Sequence, residues 1–130
     1  MLAEVMVTPI TAIILSFVYV YLGVRVIILR NYYQTTIGDG DHLALQRAIA
    51  AHRNFNEYVP ITIIIMGLNE VSGAMEEYLT LIAVIFVAAR VIHAYNISSR
   101  NERLALRVLT TGITFATIIL LGLALMSQKI

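Results

Sequence analysis

The sequence predicts an all-α integral membrane protein, a bundle of four transmembrane helices, and three observations predict it. First, 59% of the 130 residues are hydrophobic and only 13% are charged, with a mean hydropathy of +0.83, which is too apolar for a soluble domain of this length. Second, the apolar residues gather in long runs separated by short polar loops. Third, Lys and Arg cluster at and beside the first and third loops (Arg25, Arg30 and Arg47; Arg100, Arg103 and Arg107) and are absent from the second, the alternation expected of a chain that crosses a bilayer repeatedly. The net charge of +1, with no basic patch clear of the spans, excludes a nucleic-acid partner. Cysteine is absent, so no disulfide, thiolate metal site or protein thiol nucleophile is available. Any thiol chemistry must use a thiol brought by a ligand. The chain reads as one domain over residues 1–130, without linker, repeat or low-complexity tract.

The first span covers Thr8 to Leu29, with Pro9 in a position that suits a first helical turn. Its apolar run is long enough for a hydrocarbon core of about 30 Å, and no small-residue cleavage site follows it, so it reads as an uncleaved signal anchor. Arg25 interrupts the run near its end, a little over one turn before Arg30. Two readings stay open for Arg25: snorkelling to the interface, or facing neighbouring helices and holding an anion. Residues Asn31 to Asp41 form a loop in which Gly38-Asp39-Gly40-Asp41 supplies turn residues and Asp41 an N-cap. The acidic turn lacks the ligand count and distal glutamate of a calcium loop.

The second helix covers His42 to Glu70, but only its second half, from Ile61 onward, is apolar. That half alone is short for a span, so the polar half must project into the headgroup zone or be covered by protein. Pro60 is expected to kink or loosen the helix one turn earlier, near Asn56. Ala44, Ala48 and Ala51 offer close helix contact. Val71 to Glu77 is a turn, and the third helix follows from Tyr78 to Ile97, carrying Arg90 and His93 on one face. Asn96 to Glu102 is the last loop; Arg100, Arg103 and Arg107 form a basic stripe where the last span, Leu104 to Met126, begins. Gly112, Ala116, Gly122 and Ala124 permit close packing there. The two basic loops are thus expected in the cytoplasm and both termini on the opposite side.

The stretch Arg47 to Pro60, RAIAAHRNFNEYVP, carries the densest chemistry. At about 100° per residue, Arg53 and Glu57 lie about 40° apart on the helical wheel and Asn54 and Glu57 about 60° apart. Arg47 and Tyr58 continue the arc, so a cation, an amide, a carboxylate and a phenol share one face of a helix entering a membrane. Interfacial anchoring explains Arg47 and Arg53, but explains Glu57 poorly, because a carboxylate is costly against lipid. Glu57 is expected to be neutralised by Arg90, Arg53 or a bound amine. An isolated histidine is ordinarily interfacial or satisfied within a core, a reading that weakens for His93 beside an intramembrane arginine.

The run Ala51-His52-Arg53-Asn54, followed by Glu57 and Pro60, resembles the second-helix signature of the MAPEG family, the membrane-associated proteins in eicosanoid and glutathione metabolism, here in a bacterial-type member. The Ala-Arg-Val-Ile-His segment ending at His93 is similar to the family's third-helix ligand segment, although the tyrosine that the enzymes carry one turn later is replaced by Ile97. The resemblance implies a homotrimer with sites between subunits, glutathione as cosubstrate, and an arginine early in the fourth helix that stabilises the thiolate. Arg103 and Arg107 both fit that last role.

Glutathione presents one amine, two carboxylates and a thiol. Glu57 suits the amine; Arg53, Arg47, Arg25 or Arg30 suit the carboxylates; Asn54 suits a peptide group. Tyr58, Arg90 and His93 complete the candidate set, and an arginine near the thiol lowers its pKa. The expected activity is therefore a glutathione-dependent transferase or peroxidase acting on a lipophilic electrophile or hydroperoxide that enters from the bilayer of a bacterial inner membrane. One alternative is a non-catalytic member that binds lipid or glutathione, favoured by Ile97. Another is a small four-helix exporter, although such transporters carry their carboxylate in the first helix, where this chain has Arg25. Metal hydrolysis is disfavoured: the three histidines are scattered and no metal-ligand spacing occurs.

Overall fold

A computed structural model of the protein describes residues 5–128; residues 1–4 and 129–130 of the expected domain lie outside them. The described chain is four helices joined by three short loops: α1 Val7–Tyr33, α2 Leu43–Val71, α3 Glu76–Ser98 and α4 Leu104–Ser127. α1, α3 and α4 are each long and apolar enough to cross a membrane. α2 is as long, at 29 residues, or about 43 Å of helix, but its polar first half keeps it from meeting that criterion. α2 and α3 form the central pair, each packed against the other three helices, while α1 and α4 lie on opposite sides and do not touch.

Local chemistry places the boundaries. α1 runs one turn beyond the expected Leu29 and ends at Gln34, whose left-handed backbone (φ 52°) closes the helix. The Arg30 guanidinium then donates to the carbonyls of Thr35, Thr36 and Gly38, the last at 2.7 Å, and pulls the loop back on the helix end. Gly40 has φ 58°, and a Cβ there would lie 2.9 Å from the Thr35 hydroxyl, so the position needs glycine on two counts. Asp41 is not the expected N-cap: it adopts φ 62°, its N–H donates to the Asp39 side chain, and His42 takes the cap position without a side-chain bond. The Tyr33 and His42 rings stack at 4.0 Å across the loop.

α2 is unbroken through Pro60, so the expected loosening reduces to the one hydrogen bond that proline cannot give the Asn56 carbonyl. α3 starts two residues before the expected Tyr78, with Glu76 and Glu77 in its first turn, where negative charge meets the positive end of the helix dipole and stabilises the start. The expected arginine stripe is also corrected: Arg100 precedes α4 and Arg103 is its N-cap, leaving Arg107 alone in the helix. Asn96 replaces a capping side chain. Its Oδ1 accepts from the Arg103 N–H and its Nδ2 donates to the Arg103 carbonyl, both at 3.0 Å.

Two apolar clusters hold the bundle. One joins Leu15 and Leu22 of α1 to Ala51, Phe55 and Val59 of α2 and Phe86, Ala94 and Ile97 of α3. The other, at the opposite end, joins Val7, Met66, Leu79, Ile82, Ala83 and Leu121. α4 packs inward through Thr110, Thr114, Thr117 and Leu121, whereas Gly112 and Ala116, expected to make the close contacts, are exposed. Threonine is small enough for close helix approach and can return its hydroxyl to its own backbone, as Thr114 does to the Thr110 carbonyl at 2.9 Å.

Glu70 ties the ends together. Its carboxylate, nearly buried, accepts from the N–H groups of Met6, Val7 and Thr8 at 2.8, 2.6 and 2.8 Å. The end of α2 thereby caps the start of α1, whose own N-cap residue, Met6, has no side chain for the task. Beside it, fully buried Asn69 donates to the Leu121 carbonyl at 2.9 Å and accepts from Gln128, joining α2 to α4.

Candidate functional site

At the level of the first apolar cluster, where α2 and α3 face α4, the wedge of the three helices holds a polar layer. Arg90 of α3 is buried to 2% exposure. It donates to the Asn54 Oδ1 at 2.9 Å, and its guanidinium lies 5.7 Å from the centre of the Tyr58 ring, within cation–π range. Tyr58 in turn meets Phe115 of α4 edge-on, with ring centres 5.5 Å apart. Asn54 and Tyr58 are one turn apart on α2, so one face of that helix presents both to the same cation.

One turn further along α3, buried His93 contacts the Thr110 hydroxyl through Nδ1 at 2.7 Å. The Thr110 hydroxyl also lies 2.8 Å from the Leu106 carbonyl and 3.2 Å from that of Arg107. A threonine has one hydroxyl proton, which can go to a carbonyl of its own helix or to the imidazole, so the direction of the His93–Thr110 bond follows the tautomer of His93. The His93 Nε2 and the Arg90 Nε are both buried without a hydrogen-bond partner among the described residues. Buried polar atoms rarely go unpaired, and this wedge has two.

The other candidates fall into three separate places. Arg53 and Glu57 form an i,i+4 pair at 3.8 Å on the outward face of α2, with side chains 72% and 52% exposed. Arg53, rather than Arg90, is therefore the cation beside Glu57. Arg47 binds the Glu102 carboxylate at 3.0 Å and the Ile97 carbonyl at 3.2 Å, and Arg107 takes the other Glu102 oxygen at 3.1 Å. Glu102 lies in the α3–α4 loop, outside the helices; the Arg47 hydrogen bond, joined by the nearby Arg107 charge, holds its carboxyl below the ordinary 4.5 despite partial burial. Arg103 has an exposed side chain and no carboxylate within ion-pair distance among the described residues. Arg25 and Arg30 are on α1, Arg30 committed to its loop and Arg25 reaching the Ser98 carbonyl at 3.5 Å.

Sequence reasoning missed Thr110 and Glu102. Thr110 carries a signal that was available: Thr110, Thr114, Thr117 and Leu121 recur at the spacing of one helix face. Glu102 carries none, because its two arginines come from different helices. Tyr95 is 77% exposed, on the opposite side of α3 from His93, and Ile97 is buried in the apolar core.

Apolar helices around a buried arginine and histidine, with a half-buried asparagine and tyrosine beside them, define a helical membrane protein with a polar site built into its interior. The chain belongs to the MAPEG family, whose model matches residues 8–127. It is similar to the inner membrane protein YecN of Escherichia coli strain K12, with 32% identity over 98 residues, 75% of each chain. The YecN of Escherichia coli O6:H1 matches with the same identity and coverage.

Proposed function

We propose that the protein is a glutathione-dependent transferase or peroxidase of the inner membrane, with the tripeptide held on the outward face of α2 and a lipophilic electrophile or hydroperoxide reaching it from the bilayer. The observation that carries this reading is the exposed Arg53–Glu57 pair, next in sequence to Asn54 and Tyr58, which hold the buried Arg90. A carboxylate and a guanidinium held loosely at 3.8 Å on a membrane helix are costly against lipid and stay available to an amine and a carboxylate of a ligand. Asn54 can share its amide with a peptide group of the same ligand, while Arg90 holds its oxygen side.

The thiol is the ligand's own, since the chain has no cysteine. Of the two arginines at the start of α4, Arg103 is the freer to meet a thiolate, because Arg107 is held by Glu102. A cation there favours the ionised sulfur, which attacks the electrophile directly, and the protein contributes position and charge. Gln46, Arg53, Asn56 and Glu57 lie outward on the polar half of α2, and a second and third copy covering that strip in a homotrimer would remove it from lipid. In that arrangement α2 serves as the fourth span, shielded by its neighbours.

Calorimetric titration of glutathione into the detergent-purified protein, beside Glu57→Gln, tests the reading. Binding in the millimolar range or tighter, lost in the variant, is the expected result; no binding to the native protein overturns it. A non-catalytic glutathione- or lipid-binding role is the second reading, favoured by Ile97, buried at 4% exposure where the family's enzymes carry a tyrosine. Glutathione binding without turnover of any lipophilic electrophile or hydroperoxide would select it.

A further inference from the structure

A groove between α1 and α3, on the side of the bundle away from the Arg90 wedge, has a volume of about 620 Å³. Its walls are Phe17 and Tyr21 of α1 and Val91 and Tyr95 of α3, and at one end lie Arg25 and Ser98. From Phe17 to Arg25 the groove follows α1 for eight residues, about 12 Å. It is thus apolar along its length and polar at the end that faces the first and third loops.

Arg25 is the polar group that needs an explanation. It is half-buried, and its one hydrogen bond among the described residues is the 3.5 Å contact with the Ser98 carbonyl, at the limit of a real bond. No carboxylate lies within ion-pair distance of it among the described residues. A guanidinium carries five N–H donors in a planar fork that matches a phosphate, and among the described residues all but one of these lack a partner. Ser99, at the same end, accepts the Asn101 N–H through its hydroxyl oxygen and keeps its own proton to donate. Tyr95 and Tyr21, 77% and 67% exposed, are the amphipathic residues that favour the headgroup boundary.

We propose that this groove is a binding site for an anionic phospholipid, with the phosphate on Arg25 and the serine hydroxyls and one acyl chain laid along the trough toward Phe17. The cation answers the phosphate charge, and the trough holds the first eight or so methylenes of a chain. Arg25 is then a lipid ligand, and the proposal stands whether or not glutathione binds on α2.

The test uses the purified full chain. A phosphatidylglycerol carrying a photoreactive group in its acyl chain is crosslinked to the protein in vesicles, and the labelled peptides are mapped. Label concentrated on Tyr21, Val91 or Tyr95 is the expected result. Label spread evenly over exposed α4 residues such as Leu109 and Leu123, or excluded from the groove because a second copy covers it, overturns the proposal. Native mass spectrometry then compares retained phosphatidylglycerol with phosphatidylcholine in the native protein, Arg25→Gln and Arg100→Gln. About a fivefold loss of the anionic lipid is expected in Arg25→Gln, with no loss in Arg100→Gln, which removes the same charge from an exposed loop. Equal loss in both variants, equal retention of the two lipids by the native protein, or displacement of the lipid by inorganic phosphate alone also overturns it.

Discussion

The buried guanidinium of Arg90 depends on few partners, and each can be tested. The Asn54 oxygen is its one hydrogen-bond acceptor among the described residues, so Asn54→Ala leaves a desolvated cation with the Tyr58 ring alone. A loss of about 1.5–3 kcal/mol is expected, read as a lower unfolding midpoint in detergent. The two neighbouring threonines of α4 should differ sharply. Thr114→Val removes a hydroxyl that bonds only its own helix backbone and should change stability by less than about 1 kcal/mol. Thr110→Val takes away the partner of His93 Nδ1 and should cost about 1–3 kcal/mol, the range for a buried polar group left unpaired. Equal effects of the two would show that His93 does not rely on Thr110. At this scale Arg90 and His93 were legible in the sequence, because a charge and an imidazole inside an apolar run declare themselves. Their partners were not, since Asn54 and Thr110 sit 36 and 17 residues away.

Helix ends are where the elements depart from local rules. Met6 cannot cap α1, and Glu70 does so from α2. Glu70→Ala should cost about 1–2 kcal/mol, the upper range for losing a cap, and the loss should be local. Hydrogen exchange is expected to speed up at Val7 and Thr8 and to stay slow at Leu15 and Leu22. Uniform acceleration along α1 would mean that Glu70 supports the whole bundle rather than one turn. The helices themselves were readable from apolar runs and turn residues, with ends displaced by at most about one turn. The displacements have one cause: Tyr33, Arg103 and Asp41 are placed by contacts with the loop or with another helix, and propensity is blind to these. The threonine face of α4 shows a different failure, in which small residues were sought as glycine and alanine although the helix turned its hydroxyls inward.

The molecule is closed on its basic face by one carboxylate. Glu102 joins Arg47 of α2 to Arg107 of α4. Its carboxyl lies below its unfolded value because Arg47 donates to it. The linked stability is therefore fully present above about pH 4.5 and is lost as pH falls through the folded value. Acid should loosen the α3–α4 loop first, seen as faster proteolysis near Arg100 and Arg103, and Glu102→Gln should remove the pH-dependent part of that change. A variant that keeps the full acid response would place the titrating group elsewhere. The family and the helical membrane class could be read from the Arg53–Asn54–Glu57 spacing and the apolar runs. The division of five arginines among a loop clamp, an ion-pair tether, an outward pair and a buried site could not, because arginine looks the same in sequence whichever partner it meets.

The Glu70 cap also sets an order of events during synthesis. Its donors and acceptor are separated by 62 to 64 residues. At about 5–20 residues per second, the ribosome delivers Glu70 roughly 3 to 12 s after the start of α1, while the helix itself winds in about a microsecond. The first helix therefore enters the bilayer with its leading turn unfinished, and that turn closes only when the second helix has been made and has returned to meet it.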